Sequence, residues 1–104
     1  MEMAIKRNSV VERLAAEAIR LGADALDVEH KDRCEVVFAM KNGIGAGIDR
    51  FQSSSPEGKS LRDELYGVAR RKRRITVDEC EYELRGHVYD SFGEDAFHVE
   101  FRRV

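Results

Sequence analysis

The chain has 104 residues, 42% of them hydrophobic and 37% charged, with one proline and no tryptophan. That size supports one domain with one core and argues against extended disorder, and no apolar run is long enough to span a bilayer. Eighteen Lys and Arg against 20 Asp and Glu leave a net charge of −2, too balanced for a surface given over wholly to nucleic acid.

Residues 1–7 lack the apolar stretch of an export signal. A cytoplasmic setting follows, with Cys34 and Cys80 expected as reduced thiols. The first helix is announced by Ser9-Val10-Val11-Glu12, a capping box in which hydroxyl and carboxylate each satisfy an unpaired amide. Val11, Leu14, Ala15 and Ala18 recur at helical spacing, Ile19 widens the stripe, and Gly22 stands where a left-handed C′ residue closes the helix.

Asp24 to Glu29 alternates as a half-buried strand, and Asp32-Arg33 turns the chain. Val36 to Met40 is more apolar and so more central. Asn42-Gly43 is a strong hairpin signal, returning a glycine-loosened strand over Ile44 to Phe51. Ser55 and Pro56 then open a second helix as N-cap and N1. Leu61, Leu65, Val68 and Ala69 are its buried stripe, and Arg70-Arg71-Lys72-Arg73-Arg74 its end.

Ile75-Thr76-Val77 begins a strand, and the last thirty residues form a hairpin. Tyr82, Leu84, Gly86 and Val88 share one face with Phe97, Val99 and Phe101; Glu83, Arg85, His87 and Tyr89 share the other. An even-length turn around Phe92-Gly93-Glu94-Asp95 would set Val88 opposite Val99, Gly86 under the Phe101 ring, and His87 across from Glu100. The expectation is a single α+β domain over residues 1–104. Its order is αβββαβββ, with a largely antiparallel sheet of about six strands and two helices packed on one face.

Four features invite chemistry. Gly43-Ile44-Gly45-Ala46-Gly47 lacks the Lys-Ser/Thr and the following helix of a phosphate loop, so it is a hairpin turn running into a twisted strand. His30, His87 and His98 have no metal-ligand spacing, so no metal or cofactor is expected. The run 70–74 suits phosphates, but cations also dress a helix C-terminus, and Asp78, Glu79, Glu81 and Glu83 follow closely. Glu83, Arg85, His87, Tyr89, His98, Glu100 and Arg102 share an outward sheet face rich in the residue types favoured at interfaces.

One stretch resembles a known family. The segment Val10 to Asp24, leading into Leu26-Asp27-Val28-Glu29, is similar to the N-terminal domain of type II secretion and type IV pilus ATPases. There an amphipathic helix ends in a Gly-Ala-(Ser)-Asp turn before a short strand ending in Glu. The strand running into Asn42-Gly43, and Gly93-Glu94-Asp95 with the strand to Arg102, resemble later parts of that domain. This chain lacks the usual serine between Ala23 and Asp24 and carries no RecA-like core with Walker motifs. The resemblance therefore implies the PAS-like fold of that domain, which in the family packs against the ATPase core and moves relative to it, and not its neighbour's ATPase activity.

Three functional expectations stand side by side. The first is a non-enzymatic interaction domain that docks a protein, or itself, through the outward face. A nucleic-acid module using Arg70, Arg71, Lys72, Arg73 and Arg74 is the second. The third is a small enzyme using His87 as a base beside Glu100.

Overall fold

The first described helix, α1 (Val10–Arg20), ends as its glycine demands. Gly22 has φ +87°; its amide donates to Ile19 O (2.9 Å) and the Ala23 amide to Ala18 O (3.0 Å), a Schellman closure. The computed structural model describes residues 9–104, so the reading of residues 1–7 lies outside them. At the other end, Ser9 Oγ accepts from the Glu12 amide (3.1 Å), but the Glu12 carboxylate pairs with Arg73 (3.4 Å) instead of reaching back. Glu64 of the second helix takes over. It accepts from the Val10 and Val11 amides at 3.2 and 3.0 Å and from the Ser9 hydroxyl, placing a carboxylate at the positive end of the α1 dipole.

Three strands follow: β1 (Ala25–Lys31), β2 (Cys34–Lys41) and β3 (Ile44–Gln52). Helix α2 (Pro56–Arg70) has Ser55 as N-cap, accepting from the Gly58 amide at 3.0 Å. The chain ends with β4 (Arg73–Val77), β5 (Cys80–Ser91) and β6 (Glu94–Arg103). All strand pairs are antiparallel, in a six-stranded sheet ordered β3-β2-β1-β6-β5-β4. The αβββαβββ order and the antiparallel six-stranded sheet match the expectation.

Every hairpin turns on two residues with positive φ: Asp32-Arg33, Asn42-Gly43, Asp78-Glu79 and Phe92-Gly93. This is the tight turn whose twist matches the strands. It also corrects the register of the last hairpin. Ser91 pairs with Glu94, so Glu94 and Asp95 lie in β6 and not in the turn. Each partner is thereby displaced by two: Val88 faces Phe97, Gly86 faces Val99 and His87 faces His98. A shift of two preserves the faces but changes what covers Gly86. There a Cβ would sit 3.0 Å from the Ala69 amide nitrogen, so α2 backbone, and not the Phe101 ring, fills the space.

Leu26, Val28, Val37, Ala39, Leu84, Phe97 and Val99 join Val11 and Leu14 of α1 and Leu61, Leu65 and Val68 of α2 in one buried cluster. Cys34 and Cys80 are free thiols. They lie on strands three spacings apart, about 14 Å at ~4.8 Å per step, beyond disulfide reach. No helix among the described residues is long and apolar enough to cross a membrane.

Candidate functional site

Alternation places Glu83, Arg85, His87 and Tyr89 of β5, and His98, Glu100 and Arg102 of β6, on the face opposite the buried cluster. Across the ladder Glu83 faces Arg102, Arg85 faces Glu100 and His87 faces His98. β1 adds Asp27, which pairs with His98 in register and contacts its Nδ1 at 2.5 Å. Glu100 lies 3.9 Å from both the His87 and the His98 Nε2. The seven expected residues thus form one connected surface, and Asp27 belongs with them.

The charges on this face are unevenly matched. Lys72 holds Glu83 at 3.0 Å and keeps its carboxyl below the usual carboxylate range. Arg85, 3.8 Å from that same carboxylate, has a buried Nε with no hydrogen-bond partner among the described residues. Burial, reinforced by Asp27 and Glu29, pushes the Tyr89 phenol up, so it stays a hydroxyl donor at neutral pH. Beyond Tyr89 the hairpin tip presents Phe92, fully exposed and in a left-handed backbone at φ +53°. On β2, Val36, Phe38 and Met40 alternate with buried Glu35, Val37 and Ala39 and extend the face as half-exposed apolar residues. Phe92 stands outside the expected face because the sequence pattern places it in a four-residue turn, whereas the turn holds only Phe92 and Gly93.

The basic run is divided between elements. Arg70 ends α2, Arg71 is its extended C-cap, and Arg73 and Arg74 open β4. Lys72 binds Glu83, Arg73 binds Glu12, and Arg74 binds Glu81 at 3.4 Å. Three of the five cations therefore have acidic partners, and the run is not one continuous stripe.

A second polar cluster was not anticipated. Glu35, 1% exposed, accepts from Ser53 Oγ (2.5 Å) and Arg62 Nη1 (3.2 Å), and its carboxylate meets His30 Nδ1 at 2.9 Å. Arg62 also reaches the Tyr66 hydroxyl (3.2 Å), which in turn donates to Asp95. The Arg62 guanidinium lies 5.7 Å from the Phe97 ring centroid, so cation–π attraction adds to its hold. These groups border an open cavity of about 480 Å³, but the interior polar atoms satisfy one another. The arrangement ties α2 to β1 and β2.

His87 and Glu100 lie on the open sheet face, with side chains 59% and 53% exposed. The cavity that His87 borders, about 280 Å³, is walled by Val68, Ala69, Lys72, Arg85 and Gly86. No group of three or more metal-ligating side chains is arranged to hold an ion among the described residues. No protein-family model and no curated protein matches the chain.

Proposed function

We propose that this chain is a non-enzymatic, cytoplasmic docking domain whose outward sheet face and β5–β6 tip receive a protein partner. The observation that carries this is the Arg85 side chain, 41% exposed, beside a hydroxyl-donating Tyr89 and a fully exposed Phe92. Aromatic and arginine anchors of this kind dominate interface energies. Because Asp27 is already paired with His98 and Glu83 with Lys72, the chemistry that fits is a partner carboxylate for Arg85 with apolar cover for the tip. The resemblance of α1, its closing turn and β1 to the secretion and pilus ATPase domain supports a PAS-like assignment and a partner from such an assembly.

Phe92 supplies the sharpest test. Asn-Gly suits its turn far better than Phe-Gly, so Phe92→Asn should raise stability by about 1 kcal/mol in urea denaturation. Capture of partners from source-cell lysate should nevertheless fall, as it should for Arg85→Ala with Tyr89→Ala. Undiminished capture by these variants would remove the proposal. Nuclease treatment should leave the catch intact. Loss of every partner on nuclease treatment would favour the nucleic-acid reading, led by exposed Arg70 and Arg71.

A further inference from the structure

Strand β5 outruns its neighbour. β4 pairs only with residues 80–84, so the outer side of residues 85–91 has no strand beside it among the described residues. The Val104 amide donates to Glu81 O at 3.0 Å, and alternation along the ladder then turns the N–H and C=O of the odd-numbered β5 residues toward β6. Those of Gly86, Val88 and Asp90 therefore point outward, off the sheet. Val88 and Tyr89, each 39% exposed, give this edge one apolar side chain on either face.

The edge is closed at one end and polarised along its length. A strand added beside residues 86–90 lies in line with β4 and must stop where β4 begins, at Arg73. At that junction a cavity of about 280 Å³ is lined by Lys72, Arg85 and His87 over Val68, Ala69 and Gly86, and no carboxylate lines it. Lys72, Arg85 and Arg102 all draw on one acid, Glu83, while Glu100, across from Arg85, lies 3.9 Å from both imidazoles. The other end is acidic, with Asp90, Glu94 and Asp95 exposed at the tip.

We propose that the partner enters as an extended carboxyl-terminal segment, added antiparallel beside residues 86–90 with its terminal carboxylate in the Lys72–Arg85 cavity. The proposal rests on the docking reading and names its occupant. Position selects a chain end, because β4 fills the line of the added strand beyond Gly86. Charge selects which end: Lys72 and Arg85 attract a carboxylate and repel a terminal amine. Antiparallel addition is the direction that brings the carboxyl end there. The fifth residue from the end then lies opposite Asp90, beside Asp95, and is Lys or Arg. Main-chain bonds to Gly86, Val88 and Asp90 supply affinity, and the captured carboxylate fixes the register.

Random octapeptides displayed with free carboxyl termini are the probe; the full chain selects among them, and enriched peptides are resynthesised for fluorescence polarisation. Enrichment of Lys or Arg at the fifth residue from the end is expected. Amidating the terminal carboxylate, or Lys72→Glu at an exposed position, should weaken binding about tenfold or more. Val88→Pro deletes an outward N–H, spares the β6 ladder, and should weaken binding similarly. N-methylating the peptide's third residue from the end should do the same on the wild-type chain, while the fourth tolerates it. A selection that enriches nothing would overturn the proposal, as would peptides that bind equally when amidated or when N-methylated at the third residue. If Arg85→Ala with Tyr89→Ala still abolishes lysate capture, those results remove this occupant and leave the docking face standing. Capture undiminished by that pair removes both.

Discussion

Replacing Glu35 by alanine should cost about 3 kcal/mol, the low end for breaking a buried ion pair because Arg62 keeps some contact with water. In a domain of this size that lowers the melting temperature by roughly 15 °C. The variant leaves Arg62, His30 and Ser53 facing an empty position. Burial alone would push the Glu35 carboxyl up, but Ser53, His30 and Arg62 together outweigh it and hold the group below the usual glutamate range. The folded value is thus lower than the unfolded one, about 4.3. Such a group contributes stability above the unfolded value, and the contribution fades as pH falls through the folded value. Urea denaturation of wild type and Glu35→Ala should therefore show a large gap at pH 7 that narrows toward pH 3. An equal gap at both pH values would mean that packing volume, and not the ionised carboxylate, supports the site.

Gly58→Ala should be comparably damaging, by about 3 kcal/mol, as overpacking against backbone is. Helix propensity alone has the opposite sign, favouring alanine by about 1 kcal/mol. The difference lies in the first turn of α2. A Cβ on Gly58 would overlap the Gln52 carbonyl oxygen and lie 3.2 Å from Ser53 Cα. That same carbonyl accepts from the Ser55 amide at 3.0 Å and the Ser55 hydroxyl at 2.7 Å, so moving it disrupts the N-cap. Denaturation midpoints decide the matter by sign. A stabilised Gly58→Ala chain would show that the loop before α2 yields freely.

What the sequence made legible was local. Ser9, Gly22, Asn42-Gly43 and Ser55-Pro56 act within a few residues of themselves, and each does what its chemistry predicts. The face assignments on β5 and β6 were also legible, because a period of two survives a register shift of two. Cross-strand partners were not, since they depend on whether the turn holds two residues or four; His87 consequently faces His98 and not Glu100. The Glu64 cap on α1 and the Glu35 cluster join segments far apart in the chain. One signal for Glu35 was available: it falls in phase with Val37 and Ala39, which places a carboxylate on the buried side of β2. The basic run misled in the other direction. A contiguous Arg-Lys string suggests one patch, whereas the change from helix to strand at Arg71 sends its members to Glu83, Glu12 and Glu81.

Photo-crosslinking in source cells tests the docking face most directly. A benzoylphenylalanine would replace Tyr89 on the face, Arg71 in the basic run, or Glu57 at the exposed start of α2, one position per chain. The face account predicts a discrete protein adduct from position 89 and none from 71 or 57. Adducts from position 71 or 57, with position 89 silent, would contradict it.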